Sequence, residues 1–213
     1  MHGTKNNTGE ICFKHEISHL LREDGTNPPS QGEILFIGSS IFRFWHTLKK
    51  DMHPLPVHNR SFGGARTWEI LHYTERLVLP LNPKLIVYYC GSNDISAGCE
   101  PHDILVRFQQ FVVRVQEHRP LTKIVYVSIN RAPQKIATWE HINEANNRIE
   151  HYCNTTQELC FIDINPAFFI DPLTPRMELY IDDGLHFRPN AYKACTRIIK
   201  PVLEQTWHEL IKP

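Results

Sequence analysis

Five positions in this sequence carry groups that acyl-transfer chemistry could use. Ser40 closes the run Gly38-Ser39-Ser40 and offers a hydroxyl nucleophile, inert unless a base takes its proton. His186 is the natural base, because imidazole is the side chain that exchanges a proton near neutral pH. Asp183, three residues earlier, can fix the ring's tautomer and stabilise the imidazolium. Gly64 can offer a backbone N–H and Asn93 a side-chain N–H₂ to a developing oxyanion, beside the N–H of Ser40. Singly, each has an ordinary reading: a turn serine, a loose glycine pair, a turn-capping asparagine, a carboxylate near a helix, a solvated histidine. Their occurrence together, at successive strand ends, favours the chemical one. The G-x-S-x-G nucleophile elbow is absent, so this differs from the α/β-hydrolase arrangement.

The elements that must position these groups follow from the hydropathy pattern. Ile34–Ile37 is a short, fully buried strand, and Gly38 ends it. Ile41, Phe42, Trp45 and Leu48 then resume at helical spacing, so Ser40 stands at a strand end and a helix start, where ligands of open α/β sheets bind. A short second strand over 56–59 runs into Gly63-Gly64, a pair that permits close backbone approach. A helix is predicted from Thr67 to Leu77, with Trp68 and Leu71 inward. Lys84–Cys90, Ile124–Ile129 and Leu159–Ile164 read as further buried strands, ending near Asn93, near Asn130-Arg131-Pro133 and before the Asp183–His186 loop. Between them Ile104, Leu105, Phe108, Phe111, Val112 and Val115 form a strong helical stripe, and Ile142, Ala145 and Ile149 another. Pro189 opens a last helix whose inner face is Tyr192, Cys195, Ile198, Ile199 and Val202, with a kink expected at Pro201. Alternating strands and helices imply βαβ units and a mostly parallel sheet.

Bulk composition narrows the function. The 213 residues fit one domain, and 23 lysines and arginines balance 23 aspartates and glutamates, so no electrostatic footprint for nucleic acid is present. No apolar run could cross a membrane, and the N-terminus lacks a signal peptide's apolar region, which makes a cytoplasmic location the expectation. The six cysteines form no C-x-x-C pair, and they are expected to be reduced and structural. The N-x-S/T triplets at Asn6, Asn59 and Asn154 carry no weight without a secretory route. Residues 1–27 read as a polar tail and a short amphipathic helix (Phe13, Ile17, Leu20, Leu21) packed on a domain spanning 28–213. That helix contains His15-Glu16-Ile17-Ser18-His19, a literal H-E-x-x-H zinc pattern. Its histidines point away from the apolar stripe, no third ligand follows at a recognisable spacing, and 13 histidines make a chance match believable. No metal and no cofactor is expected.

The quoted motifs resemble those of the SGNH (GDSL-type) esterase/lipase superfamily over nearly the whole chain, from about Pro28 to Leu210. Gly38-Ser39-Ser40 resembles its first block, Asn59-Arg-Ser-Phe-Gly-Gly64 its second, Gly91-Ser-Asn93-Asp94 its G-x-N-D block, and Asp183-Gly-Leu-His186 its D-x-x-H block. The runs Gly-Ser-Ser-Ile-Phe-Arg-Phe-Trp and Asn-Arg-x-Phe-Gly-Gly are similar to a bacterial subgroup of GDSL-like lipolytic proteins. Ser39 departs from the aspartate usual in the first block. The resemblance implies an α/β fold, a three-layer α/β/α sandwich on a flavodoxin-like parallel sheet of about five strands. It implies a Ser40–His186–Asp183 triad, an oxyanion hole of Ser40, Gly64 and Asn93, and hydrolysis of a small-molecule carboxylic ester. Asn130, Arg131 and Pro133 are expected to line the substrate pocket, while Asp94 and Arg43 are expected to be scaffolding. The short connections leave no lid, and the helical stripes are needed to cover the sheet. Polar Asn130, Arg131, Gln134 and Arg188 stand at strand ends, so a short acyl group, acetyl to butyryl, on a sugar-like alcohol is expected. A lysophospholipase or thioesterase of the same fold, a zinc hydrolase using His15, Glu16 and His19, and an inactive binding module are the alternatives.

Overall fold

The structure is a computed structural model that describes residues 17–22 and 29–212. Five strands, β1 (Ile34–Gly38), β2 (Val57–Asn59), β3 (Leu85–Tyr89), β4 (Lys123–Val127) and β5 (Leu159–Ile162), form one sheet in the order β2-β1-β3-β4-β5. Every neighbouring pair in it is parallel. The order reverses at β1, so the ends of β1 and β3 flank the crevice in which such sheets bind ligands.

Strand period decides which side chain faces which layer. Leu35, Ile37, Ile86, Tyr88, Ile124 and Tyr126 face one way and Ile34, Phe36, Leu85, Val87, Val125 and Val127 the other, giving two separate hydrophobic cores. The first lies under α4 (Thr67–Leu77), α6 (Pro101–His118) and α7 (Trp139–Asn154), and the second under α2 (Ser40–Arg43), α3 (Leu48–Met52) and α8 (Pro189–Ile211). That is the three-layer α/β/α sandwich. A one-turn helix, α5 (Ser92–Ser96), follows β3, and a small antiparallel hairpin, β6 (Phe169–Asp171) with β7 (Thr174–Pro175), follows β5. Residues 17–22 form α1, whose Ile17 is buried in the first core.

The stripe expected on α6 is the buried one: Ile104, Phe108, Phe111, Val112 and Val115. On α4 the expected inward face is corrected. Ile70, Tyr73 and Leu77 are buried, while Trp68 and Leu71 are only partly covered. The cause is the helix start. Thr67 donates its backbone N–H (3.1 and 3.0 Å) and its hydroxyl (2.6 Å) to the buried Asp94 carboxylate, and this fixes the helix's rotation about its axis. α8 runs through Pro201 as one helix. Cys90, Cys99, Cys153, Cys160 and Cys195 are free thiols, and burial pushes Cys153 up to about 12. No helix of the described residues is long and apolar enough to cross a membrane.

Candidate active site

The junction after β1 is sterically exacting. A Cβ on Gly38 would lie 2.3 Å from the carbonyl oxygen of Tyr89 on the neighbouring strand, so only glycine lets β1 and β3 approach there. Ser39 is buried, donates its N–H to that same carbonyl (3.1 Å) and accepts the N–H groups of Phe42 and Arg43. Ser40 is thereby the first residue of α2, half-buried, and its own N–H is one of those a helix start leaves without an intrahelical acceptor.

Asp183 and His186 lie in the loop before α8. The Asp183 Oδ1 atom accepts the N–H groups of Leu185 (2.8 Å) and His186 (2.9 Å), which winds the loop into a tight turn. Its other oxygen lies 2.5 Å from Nδ1 of His186, and Nε2 of His186 lies 2.9 Å from Oγ of Ser40. With Nδ1 donating to the carboxylate, Nε2 is left as the acceptor for the serine proton. Burial acts to raise the Asp183 carboxyl. The hydrogen bonds from the His186 ring and from the amides of His186 and Leu185 together outweigh it, and they hold the group below the ordinary carboxylate range. Asp182 points away, fully exposed, to Arg188 (2.9 Å).

The loop is anchored from behind. Tyr180 and Phe187 form an antiparallel bridge, Ile181 donates its N–H to the His186 carbonyl (2.9 Å), and Gln134 donates its N–H to Gly184 (3.0 Å). The Tyr180 hydroxyl, buried, donates to Oδ1 of Asn130 (2.8 Å). Arg188 donates to the Tyr180 carbonyl through Nε (2.5 Å).

Gly64 and Asn93 are drawn to the same spot by their neighbours. Phe62 donates its N–H to the Gly38 carbonyl (3.1 Å), and Asn93 Nδ2 donates to the Ala65 carbonyl (3.0 Å), so the 62–65 loop spans from the Ser40 junction to Asn93. Gly64 has φ +73°, the left-handed region that glycine enters without strain. Among the described residues its N–H donates to nothing, and the second N–H of the Asn93 amide has no protein partner. Asp94 is the tie beneath: it accepts from Thr67 on one side and from Arg107 Nη1 (3.1 Å) on the other. Burial pushes the Asp94 carboxyl up, and these donors pull against it. Arg43 packs against Gly63 and over the ring of Phe44, at the outer edge of the same junction.

The expected pocket residues are placed differently. Asn130 is 2 % exposed and engaged with Tyr180, so it is a buried anchor rather than a pocket wall. Arg131 turns away to the β6–β7 hairpin, with its guanidinium 4.2 Å from the Phe169 ring centre and Nη1 donating to the Pro172 carbonyl. Both shifts follow from polar groups finding partners at the end of β4. Pro133 does approach the site, 3.6 Å from the position a Cβ would take on Gly184. An apolar cavity of about 320 Å³ opens beside His186, lined by Phe44, Ile181, Phe187, Pro189 and Tyr192 as well as the imidazole. Its lining comes from residues far apart in the chain, so no motif marks it. Phe44 falls outside the helical stripe of Ile41, Phe42, Trp45 and Leu48. The helical stripes cover the sheet, yet apolar surface remains outside them: Ile136, Ile170, Leu173, Met177 and Ile181 are all exposed. Of the H-E-x-x-H pattern, His15 and Glu16 lie outside the described residues, and His19 is exposed on α1.

Comparison with known proteins yields a family model, described as the GDSL-like lipase/acylhydrolase family, that matches residues 38–194. An N-acylneuraminate cytidylyltransferase of Escherichia coli is 23% identical over 211 residues, 98% of this chain. The chain spans about half, 47%, of that curated relative's length. A GDSL-like lipase of Bacteroides thetaiotaomicron superposes with TM-score 0.76 at 17% identity, over 89% of this chain and 98% of the other. An acetyl-xylooligosaccharide esterase of Geobacillus gives TM-score 0.66 at 15% identity, over 86% and 96%. At these identities the two structures speak for the fold.

Proposed function

This chain belongs to the GDSL-like lipase/acylhydrolase family, and from that premise we propose that it is a carboxylic ester hydrolase with Ser40, His186 and Asp183 as its catalytic triad. The observation that carries the proposal is the unbroken chain of contacts from Asp183 through His186 to Ser40, 2.5 and 2.9 Å. The Ser40 Oγ attacks the acyl carbon while Nε2 of His186 takes its proton. The N–H groups of Ser40 and Gly64 and the Asn93 amide stabilise the tetrahedral oxyanion. His186 then returns the proton to the leaving oxygen, the alcohol departs, and Ser40 holds the acyl group as an ester. Water, activated by His186 in its turn, adds to that ester and releases the carboxylic acid and the free serine. Asp183, bonded to Nδ1, holds the ring's tautomer throughout.

The acyl group is proposed to be short, acetyl to butyryl; the sugar-like alcohol expected from polar strand ends is not kept, because Asn130 and Arg131 are engaged elsewhere and the cavity beside His186 is apolar. What supports the short acyl group is the acetyl-xylooligosaccharide esterase, a precedent on the same fold. The cytidylyltransferase named for the Escherichia coli relative is not carried over to a chain spanning 47% of it. Ethyl esters from acetate to octanoate test the acyl preference. A kcat/KM highest from acetate to butyrate agrees with it. A steady rise to octanoate, each buried methylene adding about 0.8 kcal/mol, contradicts it and points to a lysophospholipase or thioesterase. The proposed chemistry uses no metal, so activity should persist in EDTA. Loss on chelation, restored by zinc, would favour His15, Glu16 and His19 instead.

A further inference from the structure

Resting on the ester-hydrolase reading, we propose that the cavity between Phe44 and Ile181 receives the alcohol half of the ester. These two residues then set leaving-group specificity, and the preferred alcohol carries an apolar, ring-sized group.

The direction of the substrate follows from what each half must touch. In a triad reaction the imidazole takes the serine proton and delivers it to the leaving oxygen, so that oxygen comes within hydrogen-bond reach of Nε2. The acyl carbonyl oxygen is turned the other way, to the N–H groups. Those donors converge through Phe62, Ala65 and Asn93 at the ends of β1, β2 and β3. The cavity is walled by a different set: the loop that carries His186, the start of α8, and Phe44, one turn after Ser40. Neither Gly64 nor Asn93 lines it, whereas His186 does. The part of the substrate that continues past the leaving oxygen is the part that meets these walls.

The walls also define the chemistry of the occupant. Thr47 and His46 stand at the cavity too, but the Thr47 hydroxyl is committed to Asp51 (2.6 Å). The Tyr192 hydroxyl is committed to the Ile41 carbonyl (2.9 Å). What remains for a ligand is mostly carbon. Phe187 and Tyr192, 6 and 7 % exposed, form the floor, and Phe44 and Ile181, 36 and 42 % exposed, form the mouth. The Phe44 ring meets the imidazole edge-to-face with centroids 5.2 Å apart, so a group lying on Phe44 lies beside the proton donor. A volume of about 320 Å³ is at the small end for ligand sites and is enough for one ring.

The test fixes the acyl group as acetyl and compares ethyl with cyclohexylmethyl acetate, two primary alcohols of similar leaving ability. In the unaltered protein the ratio of kcat/KM, cyclohexylmethyl over ethyl, should be at least about ten. Phe44→Ala should bring that ratio towards one, and so should Ile181→Ser, the other exposed lining residue. Because the ratio is internal to each variant, a general loss from disturbing His186 or the fold cancels. The ratio of ethyl butyrate to ethyl acetate should be the same in all three proteins. A flat alcohol series in an active enzyme, or variants that alter the acyl ratio instead, overturns this inference and leaves the ester-hydrolase reading standing. Absence of hydrolysis across every ester overturns both.

Discussion

His186 Nε2 lies 2.9 Å from the Ser40 hydroxyl oxygen, although 146 residues separate the two in the chain. The contact exists because β1 ends where Gly38 allows a strand to pass close to Tyr89, and because the loop before α8 is fastened to the end of β4.

Two adjacent aspartates precede His186, and only Asp183 reaches its ring; Asp182 is fully exposed and pairs with Arg188. Asp183→Asn should therefore lower kcat severely, by up to about 10⁴-fold, because the amide favours the wrong tautomer. Asp182→Asn should change kcat less than about threefold, as surface pairs contribute little. Steady-state kinetics of both variants decide the matter, and the reverse ranking would mean that Asp182 serves the base.

The pH dependence should separate activity from folding. Burial raises the Asp183 carboxyl, but the hydrogen bonds from His186 and Leu185 win and leave it depressed. A depressed carboxyl stabilises the fold above its unfolded pKa and loses that contribution only as pH falls through the lower, folded value. The base must be unprotonated to accept the serine proton. On acidification kcat/KM should fall first, reversibly, while far-UV circular dichroism stays native. Coincident loss of both would show that the acid limb is unfolding.

Asn93 offers one N–H to Ala65, and the other is the one proposed to meet the reacting oxygen. Its donation counts most when charge develops, so Asn93→Ala should lower kcat by about 10²–10³-fold with little change in KM. An effect confined to KM would make Asn93 a ground-state binding group.

Tyr180 contributes no reacting atom, yet its hydroxyl ties the His186 loop to Asn130. Tyr180→Phe leaves a buried amide oxygen without that donor, which should cost about 1–3 kcal/mol of stability. Urea denaturation measures this. An unchanged midpoint would mean that the anchor is dispensable.

Much of this arrangement is legible in the sequence, for identifiable reasons. Buried parallel strands are written as apolar runs, so Ile34–Ile37 and Leu85–Tyr89 stand out, and strand ends locate Ser40 and Asn93. The helical stripe of α6 is equally plain. What is not legible depends on contacts between distant residues. The inward face of α4 was set by Thr67 bonding to Asp94, 27 residues on, and not by the apolar weight of Trp68. Asn130 looked like a pocket residue because its partner, Tyr180, is 50 residues away. The β6–β7 hairpin is masked by Pro172 and Pro175, residues that argue against a strand. Phe44 is an exposed aromatic outside the stripe, and only its proximity to His186 gives it a role.

The central claim is that Ser40 is the nucleophile, and covalent labelling tests it most directly. A fluorophosphonate probe reacts with a serine only where a base activates it. Mass spectrometry of the labelled protein should place the probe on Ser40, and Ser40→Ala should abolish labelling while its circular dichroism matches that of the unaltered protein. Labelling that survives in a folded Ser40→Ala variant would contradict the account and put the nucleophile elsewhere.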